Sequence, residues 1–202
     1  MAYKQHFIEW FSGQGLPSYW GTTTNCSATY SMADEVDGGL KVSTTGTSNN
    51  RNFYLHFNDK RQFSHTGSVA IFVIKPRLYR DDTTNWFAEV GIGQGKEGGK
   101  GHRFYAHSGS SYPNIQLSTY QSSSTFVDTG EPEGYKWYSV KIENKSSSCE
   151  MSLYGTLRAT ATSGLQTDSG MQPQVYCNRG TSGSLGSEAM ECSFRYMECY
   201  NT

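Results

Sequence analysis

Hydrophobic and polar residues alternate with a period of two along much of the chain, which is the spacing of strands that bury one face. Phe53, Leu55 and Phe57 alternate with Tyr54 and His56. Trp86, Ala88, Val90 and Ile92 alternate with Phe87, Glu89 and Gly91, and Phe104 and Ala106 with Arg103, Tyr105 and His107. Ile115, Leu117 and Thr119 face away from Gln116, Ser118 and Tyr120. Tyr138, Val140 and Ile142 form another stripe, Met151 and Leu153 the next, and Cys192 to Tyr200 the last strand. Leu40 to Val42 follows a turn at Asp37-Gly38-Gly39. Val69 to Ile74 is apolar on both faces, as a central strand requires, and Pro76 is expected to close it. Short strands punctuated by Gly, Ser, Asn and Pro predict a sandwich, with Ser122 to Ser124 and Ser146 to Ser148 as exposed loops. The one helical reading, Lys4 to Phe11, is equally an edge strand.

Composition agrees. Ser, at 26, and Thr, at 19, with 22 Gly and 14 Tyr, outweigh 9 Ala and 9 Leu, which favours strands and turns and excludes helical bundles, coiled coils and doubly wound nucleotide folds. A length of 202 residues fits one domain, 1–202, and hydrophobic residues at 35% supply one core. The 17 basic and 18 acidic residues leave a net charge of -1 without a run of like charge, so neither nucleic acid nor a membrane surface is an expected partner. Val69 to Ile74 falls far short of the roughly 18 residues that membrane insertion needs. The first ten residues lack the apolar core of an export signal, so synthesis in a cytoplasm without a signal peptide is expected; the alternative is a secreted protein whose signal was removed.

Five cysteines, Cys26, Cys149, Cys177, Cys192 and Cys199, are odd in number and scattered, and are read as buried reduced thiols. Strict alternation puts Cys192 and Cys199 on opposite strand faces, too far apart to bond. His102 and His107 have a zinc-like spacing but point to opposite faces and lack a cysteine pair.

Several segments carry a resemblance. Phe11-Ser12-Gly13 with Leu16-Pro17 and Trp20, then Asp37-Gly38-Gly39-Leu40-Lys41-Val42, resemble the opening of concanavalin A-like jelly rolls of the lectin, glucanase and laminin-G type. Lys136 to Glu143 and Met151 to Leu157 resemble that superfamily's strand and hairpin, and Glu191 to Tyr200 its closing strand beside the first. The resemblance implies an all-β fold, a two-sheet antiparallel jelly-roll sandwich.

The chemistry of that superfamily tests the chain residue by residue. Its glucanases carry Glu-x-Asp-x-x-Glu on one strand, because retaining hydrolysis needs two carboxylates about 5 to 5.5 Å apart. Glu35-Val36-Asp37 is followed by Gly38, Gly39 and Leu40, and Glu89 has Phe87 and Gly91 where partners are expected. Its lyases use Tyr, His, Arg and Gln, a set that Arg103, Tyr105, His107, Gln116 and Tyr120 could supply, but the Gln-x-His and Tyr-Phe-Lys segments are absent. Gly93 to Gly98 matches Gly-x-Gly-x-x-Gly, yet a strand follows rather than a phosphate-binding helix. No cofactor is expected. Clustered acids at Asp34, Glu35 and Asp37, or at Asp81 and Asp82, leave structural calcium as the one metal reading, beside that of plain solvated turns.

Sugar binding suits the chain best, since pyranose rings stack on aromatic faces while amides, Arg and carboxylates bond hydroxyls. The expected carbohydrate face is Tyr54, His56, Glu89, Arg103, Tyr105, His107 and Gln116. The expected role is a non-catalytic binding or structural module on a larger assembly, such as a phage capsid decoration or tail component at a virion surface, with protein subunits as partners and glycans as ligands. Lys4 to Trp10 and Cys192 to Tyr200 are its docking candidates. A polysaccharide-active hydrolase or lyase is the competing reading.

Overall fold

The computed structural model describes residues 5–11, 16–24, 27–31, 39–45, 51–58, 62–77, 86–94, 100–107, 113–167, 170–179 and 190–202. Among these the chain forms strands and no helix: β1 (His6–Glu9), β2 (Trp20–Thr24), β3 (Ser27–Ser31), β4 (Leu40–Thr45), β5 (Arg51–Phe57), β6 (Ser68–Arg77), β7 (Trp86–Gly93) and β8 (Gly101–His107). They continue with β9 (Asn114–Tyr120), β10 (Ser124–Pro132), β11 (Tyr138–Asn144), β12 (Cys149–Leu153), β13 (Thr156–Ala161), β14 (Gln172–Arg179) and β15 (Met190–Asn201). All pair antiparallel in two sheets, the 8-stranded β13-β12-β11-β6-β15-β4-β3 with β1 also on β15, and the 7-stranded β10-β9-β8-β7-β14-β5-β2. This is the two-sheet antiparallel jelly-roll sandwich that the resemblance implies.

One core lies between the sheets. Phe72, Ile74, Val140, Ile142 and Phe194 from the eight-stranded sheet meet Phe53, Leu55, Val90, Phe104 and Leu117 from the other. The closing strand does return beside the first, with Phe7 opposite Cys199. Within Lys4 to Phe11 the chain forms strand β1 at His6–Glu9 rather than a helix, with Phe7 and Glu9 turned inward. The β12–β13 hairpin turns on Tyr154 and Gly155 at φ 53° and 78°, a two-residue turn whose left-handed backbone favours glycine.

Two expectations fail for identifiable reasons. Pro76 does not close β6: β11 ends where Tyr138 pairs with Ile74, so at Pro76 the strand has β15 alone beside it and a missing N–H leaves no central ladder broken. Cys192 and Cys199 do not face opposite ways, because a bulge between Phe194 and Tyr196 inserts a residue, resets the alternation and turns both thiols into the core. Cys149, Cys177, Cys192 and Cys199 are all buried and free, and Cys26 lies outside the described residues.

His102 points into the sandwich and anchors β8 from inside. Its Nδ1 bonds Asn144 Oδ1 at 2.6 Å, Asn144 Nδ2 donates to Ser68 Oγ at 2.8 Å, and the Gln166 backbone N–H donates to His102 Nε2 at 2.9 Å. An Nε2 that accepts must be unprotonated, and burial drives the imidazole down to about 4.

Candidate functional site

Register builds the site. Because Phe53, Val175, Val90, Phe104 and Leu117 fill the core, the alternate residues of β5, β14, β7, β8 and β9 are forced to the outer face of the seven-stranded sheet. One row across it runs His56, Gln174, Gly91, Arg103, Ser118, Phe126. The next runs Tyr54, Tyr176, Glu89, Tyr105, Gln116, Asp128, and a third sets Phe87 beside His107. Tyr54, His56, Glu89, Arg103, Tyr105, His107 and Gln116 therefore share one face.

A polar chain crosses its centre. Arg103 Nη1 donates to Glu89 Oε2 at 2.7 Å. With the Gln174 amide oriented by its surroundings, its oxygen accepts from Arg103 Nη2 at 3.0 Å and Nε at 2.7 Å, and its nitrogen donates to the Tyr54 hydroxyl at 3.3 Å. The amide lies over a glycine floor: a Cβ at Gly93 would stand 2.3 Å from it. Although these side chains face away from the core, Arg103 is only 4% exposed, Ser118 2% and Gln116 9%. Gln116 Oε1 is buried with no hydrogen-bond partner.

Aromatic rings run alongside. Phe126 lies 4.9 Å from Tyr105, Tyr105 stacks at 5.8 Å on Phe87, Phe87 meets Tyr176 at 5.6 Å, and Tyr176 meets Tyr54 at 6.2 Å. His107 stacks on Phe87, and burial lowers its imidazole, which keeps it neutral at neutral pH. A groove of about 490 Å³ is lined by Phe87, Glu89, Arg103, Ser118, Tyr120, Ser124 and Tyr176.

The geometry limits the chemistry. Glu89 and Asp128 share a row with their backbones three strands apart, about 14 Å, whereas the carboxyl groups of hydrolytic pairs stand within about 9.5 Å of each other. Glu89 is also held by Arg103, and that arginine is itself spent on Glu89 and Gln174. No group of three His, Cys, Asp or Glu among the described residues could hold a metal ion. The calcium candidates Asp34, Glu35, Asp37, Asp81 and Asp82 lie outside the described residues, as does Gly95 to Gly98.

Sequence reasoning missed β14 and β10, and with them Gln174, Tyr176 and Phe126. In β14, Val175 and Cys177 do alternate with Gln174 and Tyr176, but the stretch is short and Pro173 near its start weakens the strand signal. Phe126 sits on a strand whose pattern carries little apolar weight, Ser124 to Pro132.

Two antiparallel sheets packed over a single core give the chain a concanavalin A-like jelly-roll fold. Solved structures share that fold at low identity. The chain is similar to the beta-glucanase of Bacillus licheniformis, at 13% identity and TM-score 0.63 over 98% of each chain. It is similar to the carbohydrate recognition domain of Emp47p, at 11% identity and TM-score 0.61 over 97% of this chain and 94% of that one. It is also similar to a GlcNAc[alpha]1-4Gal releasing endo-[beta]-galactosidase from Clostridium perfringens, at 11% identity and TM-score 0.64, spanning 99% of this chain and 63% of that chain. No family model and no curated protein matches the sequence.

Proposed function

We propose that the chain is a carbohydrate-binding module that holds a glycan on the outer face of the seven-stranded sheet without cleaving it. The observation that carries this reading is the face itself: polar side chains turned away from the core, yet buried beside a groove and flanked by stacked rings. Sugar rings would lie on Tyr105, Phe126 and Tyr176, and hydroxyls would bond Gln116, His107 and the outer edges of the Glu89 and Arg103 pair. His56 and Tyr54 would close the far end.

The proposal includes the setting read from the sequence, a module made in a cytoplasm and displayed on a virion or similar particle. Ile8 on β1 and Trp10 just after it, 45% and 64% exposed, support docking to a protein subunit on the opposite side from the groove. The competing reading, a hydrolase or lyase acting through Glu89 or through Tyr105 with Arg103 and His107, is favoured by the glycosidases among the fold neighbours.

A glycan array combined with reducing-sugar and unsaturated-product assays separates the two. Binding without product, lost in Tyr105→Ala, is expected. Turnover abolished by Glu89→Gln or Tyr105→Phe would replace the binding reading with the enzymatic one. Elution as a lone monomer that co-purifies with no particle would remove the assembly part.

A further inference from the structure

The aromatic row contains a bridge that accounts for the burial beneath it. Tyr105 stands on β8 and Phe126 on β10, with β9 between them, so their backbones are about 10 Å apart. Their ring centroids nevertheless lie 4.9 Å apart at an interplanar angle of 52°. The two side chains therefore lean toward each other across β9, over the outward residues of that strand. Gln116, opposite Tyr105, and Ser118, opposite Phe126, are both buried although they face away from the core. Tyr105 is held from its other side by Phe87 at 5.8 Å and His107 at 5.7 Å, whereas Phe126 is 41% exposed. Of the two rings, Phe126 is the one with room to swing.

The floor under these rings lacks a donor. Gln116 Oε1 is closed off from water and accepts no hydrogen bond. Asp128, its neighbour on β10, is a further acceptor and already takes Asn114 Nδ2 at 3.1 and 3.0 Å and the Gly130 N–H at 2.6 Å. A ligand group that completes this spot must donate a proton and also offer apolar surface to two rings. A hydroxyl donates but brings no apolar surface. An ammonium donates but would give up its water under the rings while Asp128 is engaged elsewhere, which is costly for a charge. A secondary amide beside a methyl group meets both demands.

We propose that Tyr105 and Phe126 form a two-ring lid over a subsite for the acetamido group of an N-acetylated sugar. This rests on the carbohydrate-binding reading of the face and adds to it the class of sugar. The pyranose lies on the rings, and its acetamido arm enters beneath Phe126 from the groove that Ser118 lines. The arm's N–H, in place of a hydroxyl, donates to Gln116 Oε1, which the soft terminal torsion of the glutamine turns toward it. The methyl packs against Tyr105 and Phe126.

The test uses the full chain on a glycan array that carries gluco and galacto oligosaccharides in sets differing only at C2, as hydroxyl, acetamido or free amine. The acetamido member of a bound set is then titrated against its hydroxyl parent by calorimetry. It should bind at least about tenfold more tightly, as an added apolar group in a fitted pocket does, and its methyl should give intermolecular NOEs to the Tyr105 and Phe126 ring protons. In Gln116→Leu that preference should shrink by about threefold or more, while the parent sugar binds as before. The subsite is overturned, with the carbohydrate reading intact, if the bound glycans lack N-acetylated sugars, if acetamido and hydroxyl members bind equally, if the amine binds more tightly, or if the methyl contacts other rings. Binding of no glycan at all overturns both. The array, titration and NOEs use the unsubstituted chain, so they decide the matter even if Gln116→Leu fails to fold.

Discussion

The two sheets carry ion pairs of the same length on their outer faces, and the surroundings make them different objects. On the eight-stranded sheet Lys141 reaches Glu143 at 2.7 Å with side chains 42% and 32% exposed. On the seven-stranded sheet Arg103 reaches Glu89 at the same 2.7 Å, but with side chains 4% and 11% exposed. Water screens the first pair and replaces either partner at little cost. The second has lost its water, so each charge depends on the other and on the Gln174 amide. A sheet face that merely meets solvent looks like the first; one that has been shaped as a recess looks like the second.

Removing one partner should expose that contrast most strongly. Glu89→Ala leaves the Arg103 guanidinium buried without its carboxylate, and a loss of about 3 to 5 kcal/mol in urea unfolding is expected. The double replacement Glu89→Leu with Arg103→Leu should recover much of it, because neither charge then remains stranded. A loss below about 1 kcal/mol for Glu89→Ala would mean that the face is wet, and the distinction between the sheets would fall.

His102 extends the contrast from the outer face to the inner one. Its imidazole is pulled from 6.5 to about 4 in the folded protein, mainly by burial. A base with a depressed folded value binds its proton more readily when unfolded. Stability is therefore fully present above pH 6.5 and is lost as pH falls toward about 4, by roughly 3 kcal/mol. Protonation also turns the Nε2 that accepts from Gln166 into a second donor facing a donor. In His102→Gln the difference in unfolding free energy between neutral and mildly acidic pH should shrink by about that amount; an unchanged pH dependence would show that His102 is not the group that titrates.

Phe126 probes the exposed end of the aromatic row beside the groove. Phe126→Ala should weaken glycan binding up to about tenfold, as loss of one stacking ring does, while the urea midpoint moves little. Equal affinity in the variant would move the sugar site toward Tyr176 and Tyr54.

Much of this face was legible because period-two alternation is a local signal. Once Phe53, Leu55 and Phe57 were assigned inward, Tyr54 and His56 had to point out, and the same parity placed Glu89, Arg103, Tyr105, His107 and Gln116. What alternation cannot carry is adjacency between strands distant in sequence. β14 lies between β5 and β7, so Gln174 completes the contacts of Arg103 from more than seventy positions away, and nothing near Arg103 announces it. Parity also fails wherever a bulge adds a residue, which is why Cys192 and Cys199 share the core against expectation. Pro76 misled for a related reason, since whether a proline breaks a strand depends on which neighbour still runs beside it.

The smallest expected effect comes from the pair on the opposite sheet. Glu143 is held below the usual carboxylate range of 4.5 by its hydrogen bond from Lys141, so its contribution is present above that value and fades as pH falls beneath it. The pair is open to solvent and screened by salt, and Glu143→Gln should therefore cost less than about 1 kcal/mol. High salt should shrink even that difference, whereas the cost of Glu89→Ala should persist in the same buffer, because a buried pair is poorly screened. Glycan affinity should be identical with and without Glu143, since β11 lies in the other sheet. If Glu143→Gln destabilises the protein as much as Glu89→Ala does, equal distance rather than unequal burial governs both pairs, and the recess on the seven-stranded sheet loses its energetic signature.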